Sequence, residues 1–388
     1  MSAAALGTPA ENASVPATSQ THSPLSGQTT PPATGRPAGQ AAPQHPLVDA
    51  ERPLRVAVMS FAHVHAAGYA RLLKAMPNVE LRASDPDGDK EQGERRGRDL
   101  ADDLGVSYVD SYAELLAWQP DAVIVTSENA RHRSLVEAAA RAGAAVLCEK
   151  PLATTLEDAL AMQAACDDAG VTLMTAYPVR FSPAFARLRE LVKAGGLGAL
   201  LAATGTNNGQ IPVGERSWFT DPALSGGGAM VDHIVHVADL LDALTGLAPE
   251  RVRAVSNRIL HAEKPEVRAE TGGLVTISYA GGFVATIDCS WSQPDAAPTW
   301  GGLTLQMVGT EGIADIDPFA QHVSGVGADG AVFLAYGTNT DELLLHEFVQ
   351  AVRARRAGQP DGAAGIRSLK VVLAAQESAR TGEVVSVL

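Results

Sequence analysis

The chain is predicted to be α/β, with a doubly wound parallel sheet followed by an α+β unit on a mostly antiparallel open sheet. Three observations predict it. From Leu54 short apolar runs alternate with helical stretches, and strands separated by helices of about 10–15 residues build right-handed βαβ units. Beyond residue 177 apolar runs follow one another across glycine turns such as Gly281-Gly282, the pattern of antiparallel strands. One apolar run, Ala145 to Cys148, ends in Glu149-Lys150-Pro151, placing charge at the carboxyl end of a strand, where open α/β sheets bind ligands.

The elements follow in order. Leu54 to Ser60 reads as a strand, Ala66 to Ala75 as a helix, Val79 to Ser84 as a strand ending in Asp85, and Ala101 to Leu104 as a helix tail. Ala122 to Thr126 is a strand, Arg133 to Ala142 a helix, Ala145 to Cys148 a strand, Leu156 to Ala169 a helix and Thr172 to Ala176 a strand. In the second unit, Ala199 to Thr206, Val252 to Leu260, Leu274 to Tyr279, Phe283 to Trp291, Leu303 to Val308 and Ile313 to Ile316 read as strands. Two helices, Glu342 to Arg356 and Ser368 to Arg380, close the chain, the last able to pack back on the first unit. The expected organisation is a tail over 1–50, a first domain over 54–176 and a second over 177–388.

The first 50 residues hold eight of the 23 prolines and only Glu11, Arg36 and Asp49 as charges. Such a stretch cannot bury enough apolar surface to offset its ordering entropy and is expected to be disordered. It shows neither a basic n-region nor an apolar h-region, so it does not read as a secretory signal. The 388 residues, 46% of them hydrophobic, suit two domains. No apolar run reaches the roughly 18–20 residues of a membrane span, and a net charge of −14 argues against a nucleic-acid partner, whose phosphates need basic patches. Cys148, Cys166 and Cys289 lack C-x-x-C spacing, which points to reduced thiols in a cytoplasmic protein, without a disulfide framework or zinc site.

Two blocks carry chemistry. Lys150 is an ammonium at a strand end, before an X-Pro bond that can be cis and fix a tight turn. The run Gly226-Gly227-Gly228-Ala229-Met230-Val231-Asp232-His233-Ile234-Val235-His236 leads through Val237 and Ala238 to Asp239. A helix starting after the glycines carries Asp232, His236 and Asp239 on one face. Together the blocks supply an acid, a base and a cation. A surface lysine and a core histidine are the bland readings of each block alone; both in order on one chain make them improbable.

In these blocks the chain resembles the Gfo/Idh/MocA oxidoreductase superfamily, with its C-E-K-P segment and its G-G-G-x-x-x-D-x-x-x-H helix. The resemblance runs from about Leu54 to the C-terminus. Thr126-Ser127-Glu128-Asn129-Ala130-Arg131-His132 is similar to the family's T-P-N-x-x-H loop, and Arg180-Phe181-Ser182-Pro183-Ala184 to its R-F-x-P-A segment. The resemblance implies a Rossmann first domain and hydride transfer between NAD(H) and a secondary alcohol or ketone of a sugar or polyol. By resemblance, His236 is the general acid/base, Asp232 orients the substrate or the histidine, and Lys150 hydrogen-bonds the reacting oxygen. Asn129 and His132 are expected on the nicotinamide side with Thr126, Ser127, Glu149 and Lys150. Arg180, Trp218, His233 and the Gly226 to Gly228 loop are expected in the substrate wall, although Trp218 also reads as core and Arg180 as a salt-bridge partner. A homodimer or homotetramer is the family expectation.

The departure from the family lies in the first turn. Where strand one ordinarily runs into G-x-G-x-x-G, the chain has Ser60-Phe61-Ala62-His63-Val64-His65. Without glycine the turn is expected to avoid positive φ. Ser60 offers a hydroxyl, and His63 or His65 can face the diphosphate beside a helix N-terminus that still favours anions. Asp85, 25 residues after Ser60, suits the adenosine ribose diol and disfavours a 2′-phosphate. NAD is therefore expected, while Arg82, Arg95 and Arg96 leave NADP open.

Other function classes are weighed against this. His63, His65, His132, His233 and His236 with Asp232 offer ligands for a metal-dependent lyase or hydrolase, but they lack the spacing of zinc motifs, so no metal is expected. A non-catalytic nucleotide-binding sensor has no need of Lys150, Asp232 and His236. An NAD-dependent glycoside hydrolase, redox-neutral overall, is the remaining enzyme reading.

Overall fold

The computed structural model describes residues 52–88, 93–214, 216–297, 299–327 and 330–387, so the expected tail over 1–50 lies outside the described residues. The first unit runs β1 (Leu54–Met59), α1 (His65–Ala75), β2 (Val79–Ser84), α2 (Gly97–Leu104), β3 (Ser107–Tyr108), α3 (Tyr112–Ala117) and β4 (Ala122–Val125). It continues through α4 (His132–Arg141), β5 (Ala145–Cys148), α5 (Leu156–Ala169) and β6 (Leu173–Thr175). The six strands are parallel in the order β3-β2-β1-β4-β5-β6. Val56, Val58, Ile124 and Leu147 pack on one face of this sheet, and Ala57, Met59, Val123 and Val146 on the other. Burial on both faces is why the strands read as unbroken apolar runs. The strand order reverses between β1 and β4, so the carboxyl ends of β1, β4 and β5 open on one crevice.

The second unit has α6 (Pro183–Lys193), β7 (Leu200–Gly209), α7 (Pro222–Ser225), α8 (Ala229–Thr245), β8 (Pro249–Asn257), β9 (Gly272–Tyr279) and β10 (Val284–Ser290). Then come β11 (Gly301–Gly309), β12 (Gly312–Ile316), β13 (His322–Gly327), β14 (Gly330–Ala335), α9 (Thr340–Ala354), α10 (Gly362–Thr381) and β15 (Val385–Ser386). Seven strands form a sheet in the order β12-β11-β7-β10-β9-β8-β15, antiparallel except for β10 beside β7. Side chains alternate along each strand. Val275, Ile277, Ala285 and Ile287 are buried in one cluster with Ile234, Val237 and Leu241 of α8, while Leu274 and Val284 are exposed on the opposite face.

Three departures from the sequence reading have physical causes. The six-residue helix α3, capped by Ser111 accepting from the Glu114 amide, is too short to show a periodic face. The β13–β14 ribbon is a separate two-stranded sheet in a glycine-rich stretch with no apolar alternation to announce it. And α9, with Leu344, Leu345 and Phe348, packs on α1 of the first unit, while α10 places Leu369 in the first unit's core and Val371 and Val372 in the second's. Both closing helices therefore tie the units together.

Candidate active site

The carboxyl end of β5 delivers Glu149 and Lys150 into the crevice, and the Lys150–Pro151 peptide is cis. Opposite, α8 begins directly after Gly226 to Gly228. Gly228 must be glycine, since a side chain there would overlap the Glu270 carbonyl. The helix N-terminus is then capped by the Glu270 carboxylate, which accepts from the amides of Gly228 (2.8 Å) and Met230 (3.2 Å). This start places Asp232 against the lysine. Lys150 Nζ donates to Asp232 Oδ1 at 2.6 Å and to the Asp232 carbonyl at 3.2 Å. Trp291 Nε1 donates to the other carboxylate oxygen at 3.2 Å, and His233 Nε2 lies 3.2 Å from that oxygen without hydrogen-bonding geometry.

One turn along α8, His236 lines a cavity of about 750 Å³ shared with Lys150, Asp232, His233, His63 and His65. Burial, reinforced by the Lys150 charge, holds the His236 imidazole well below its ordinary pKa. Burial alone would raise Asp232, but Lys150 and then His233 hold its carboxyl well below the usual range. The site therefore presents an ionised carboxylate, a lysine pinned by it, and a neutral imidazole whose Nδ1 is buried without a partner. Asp239 does not join them. It faces away from the cavity, and Arg180 binds its carboxylate in bidentate fashion at 2.9 and 2.5 Å.

The nucleotide end is built differently. Ser60 adopts φ +77°, contrary to the expectation that a glycine-free turn avoids positive φ. Such a backbone costs about 1–2 kcal/mol in a residue with a Cβ, and hydrogen bonds offset it. The Ser60 amide donates to Ser84 O (2.8 Å), its carbonyl accepts from the Thr126 hydroxyl (2.7 Å), and its hydroxyl donates to Asp85 Oδ1 (3.0 Å). Four further amides at the turn are also engaged: Ala62 to Ser60 Oγ, His63 to Thr126 O, His65 to His63 Nδ1 and Ala66 to His63 O.

Asp85 is fully buried. Besides Ser60 it accepts from Arg96 Nη2 (3.0 Å) and Nε (3.2 Å) and from the Gly97 amide (3.1 Å). Arg96 also donates to Glu128 Oε1 at 3.3 Å. A second-unit segment roofs the turn: Trp218 Nε1 donates to the Ala62 carbonyl (2.9 Å), Arg216 donates to the Phe61 carbonyl (3.4 Å), and the Ser217 amide and hydroxyl donate to Glu94. Trp218 stacks on Phe219 and both pack on Ala62.

Several expected site residues therefore sit elsewhere. His132 is buried with Nδ1 3.1 Å from Leu152 O and Nε2 3.2 Å from Ser127 O, so it braces the loops after β4 and β5 and does not line the cavity. The Ser127 hydroxyl donates to Glu128 O, and Asn129 Nδ2 to Ser225 O, leaving Asn129 Oδ1 buried without a partner. Arg180 is an ion-pair residue outside the cavity wall, and Trp218 covers the turn after β1. Gly227 and Gly228 border a separate small pocket shared with Asn129, Lys150 and Asp232. Glu270, Trp291 and the buried role of Arg96 escaped sequence reading; only Arg96, as one of several arginines after Asp85, left a trace.

A dinucleotide meets two fitting features and one obstacle. The acidic end of β2 and the tight turn into α1 are present, and the polar Lys150–Asp232–His236 end opens into the cavity. The amides of Ala62, His63 and His65 are instead bonded to neighbouring protein groups, and Trp218 lies on the turn. The residue types at both ends fit the group, while Arg96 and Trp218 occupy Asp85 and the turn in this structure.

Relatives of known kind share this architecture. The profile for an oxidoreductase family with an NAD-binding Rossmann fold matches residues 87–177, starting beyond the turn after β1, and that for the GFO/IDH/MocA C-terminal domain matches 185–315. The 1,5-anhydro-D-fructose reductase of Ensifer adhaerens is 30% identical over 74% of this chain and 86% of its own length. D-xylose 1-dehydrogenase (NADP(+)) 2 of Haloferax volcanii is 29% identical over 84% and 99%. Among solved structures, GenD2 from gentamicin A biosynthesis, in complex with NAD, superimposes with TM-score 0.76 at 25% identity, covering 88% of this chain and 99% of that one. With a parallel sheet feeding Lys150 toward Asp232 and His236 of a glycine-led helix, the chain belongs to the Gfo/Idh/MocA family of oxidoreductases.

Proposed function

We propose that the enzyme transfers a hydride between NAD(H) and a secondary alcohol or ketone of a sugar or polyol held in the 750 Å³ cavity. The observation that carries this reading is the 2.6 Å bond from Lys150 to Asp232, with His236 one helical turn on, all three lining that cavity. Similarity to sugar dehydrogenases and reductases supports the substrate class. The nicotinamide, when bound, supplies the hydride acceptor or donor.

The chain's residues manage the proton and the oxygen. His236, kept neutral, takes the hydroxyl proton as an alcohol is oxidised or returns it to a ketone. Lys150 uses two of its three donors on Asp232, and the third hydrogen-bonds the reacting oxygen and stabilises its developing negative charge. Asp232 fixes the ammonium, and Trp291 fixes Asp232. His233 lines the substrate wall. Residues 54–176 hold the dinucleotide, through Asp85 at its adenosine ribose and the Ser60 to His65 turn at its diphosphate, while 177–388 form the substrate wall. Arg96 beside Asp85 gives a 2′-phosphate a partner, so NADP is the second cofactor to try.

Among the described residues no helix is long and apolar enough to cross a membrane; the reading places the enzyme in the cytoplasm, as a homodimer or homotetramer covering the face that bears Leu201, Val255, Leu274 and Ile313. A monomer by light scattering at micromolar concentration contradicts the oligomer. The catalytic reading is tested by a sugar and polyol screen with NAD and NADP; oxidation that disappears in Lys150→Met while cofactor still binds supports it, and turnover unaffected by that change removes Lys150 from the mechanism.

A further inference from the structure

The turn that replaced the glycines brings imidazoles where the family pattern has none. His63 and His65 leave β1 two residues apart, with ring centroids 4.5 Å from each other. Glu149 arrives from the end of β5, two strands away in the sheet. His65 Nδ1 lies 3.0 Å from Glu149 Oε1, and His63 Nε2 lies 3.7 Å from Glu149 Oε2. One ligand atom from each of the three residues falls within 4.8 Å of the others.

A second observation points the same way. His63 is almost wholly buried, lines the cavity, and its Nε2 has no hydrogen-bond partner. Buried polar atoms are nearly always paired, so an orphan beside a carboxylate and a second imidazole signals a missing ligand. Apart from a place beside the diphosphate, the hydride reading gives the pair of histidines no chemical task.

We propose that His63, His65 and Glu149 form a binding site for a divalent transition-metal ion at the inner wall of the cavity. The approaches of the two imidazoles to the Glu149 carboxylate, 3.0 and 3.7 Å, suit bonds of about 2.0–2.2 Å to imidazole nitrogen and carboxylate oxygen, and ligand atoms that lie within 4.8 Å of one another close in on a shared ion by a small inward movement. Two imidazoles and one carboxylate suit zinc, iron or cobalt in the divalent state and leave coordination positions open for an oxygen of a cavity ligand. The neighbouring ammonium of Lys150 is paired with Asp232, which limits its repulsion of a cation, and Asp341 adds a carboxyl to the same cavity wall. In the metal-free chain the His65 amide donates to His63 Nδ1 at 3.2 Å. A metal on Nε2 moves the ring proton to Nδ1, so this long contact gives way on loading. The site does not rest on the hydride reading, because binding is measured without cofactor or substrate.

The test is titration of the chelator-treated, dialysed full chain with Co²⁺ alone, followed by its visible absorption, and with Zn²⁺ alone, followed by the melting temperature. One equivalent of Co²⁺ with a ligand-field spectrum is expected, together with a rise in melting temperature on adding Zn²⁺. His65 is partly exposed, so His65→Ala tests the site with least disturbance of the core, and His63→Gln is the second variant, each checked for a native far-ultraviolet spectrum. Loss of affinity by about 100-fold or more in either folded variant is expected, well beyond the shift of a merely neighbouring group. No Co²⁺ spectrum in the unaltered chain, or full binding retained in both variants, overturns the proposal.

Discussion

The two ends of the crevice follow opposite rules. At the substrate end, Lys150, Asp232 and His236 line an open cavity, and one buried nitrogen of His236 has no partner. At the nucleotide end, Ser60, Asp85 and the amides of Ala62, His63 and His65 are engaged by protein groups, and Trp218 roofs the turn. The set proposed to be catalytic is pre-organised; the turn proposed for the diphosphate lacks the family's glycines and lies under Trp218. The contrast teaches that residue type and availability are separate properties. Asp85 sits where a ribose partner belongs, yet Arg96 holds both of its oxygens.

The contrast breaks most visibly if the substrate end is not catalytic. Lys150→Met and His236→Ala should each lower turnover by about 10²–10⁴-fold while NADH affinity stays within a few-fold, as read by steady-state kinetics beside calorimetry. Turnover lost only through a weaker cofactor complex would place these residues on the wrong side of the comparison.

Next in size is the lock at the nucleotide end. Arg96→Ala leaves Asp85 buried without its cation, and breaking such a pair costs about 3–5 kcal/mol. Urea unfolding should show a loss of that order. A change below about 1 kcal/mol would mean that Asp85 is solvated in solution and that the end is already open.

Acid sharpens the picture of buried neutral imidazoles. His63, pushed down to about 3 chiefly by burial, and His236, held well below its ordinary value by burial and Lys150, bind fewer protons folded than unfolded. Each should therefore destabilise the fold as pH falls below about 6.5, by about 2 kcal/mol between pH 7 and pH 5, and contribute no such penalty above it. His65 works in the opposite sense: burial lowers it, but Glu149 outweighs burial and raises it, so its share is present at low pH and lost as pH rises through the raised value. A net rise in melting temperature on acidification from pH 7 to pH 5 contradicts this balance.

Much of the fold was legible because its signals are local. The parallel strands are apolar on both faces and the second sheet alternates, so period and run length revealed them. The Lys150 and Asp232–His236 blocks were legible because spacing along a strand end and a helix survives into space. What stayed hidden depended on distant partners. His132 and Arg180 matched the family pattern, yet loop carbonyls and Asp239 engage them. Trp218 reads as substrate wall or core until the second unit is seen lying on Ala62. The positive φ of Ser60 was missed because its compensation comes from Ser84, Asp85 and Thr126, all at the ends of β2 and β4 and none visible in the turn itself.

The central claim is that the enzyme's own residues close the nucleotide end over an intact hydride-transfer site. Calorimetric titration of NADH into the dialysed chain and into Trp218→Ala tests it most directly, because a cofactor that must displace the roof binds with an affinity reduced by the fraction of open chains. The account predicts binding to both, tighter in Trp218→Ala by about tenfold. Equal or weaker binding in the variant, or no binding to either in folded, nucleotide-free protein, contradicts it.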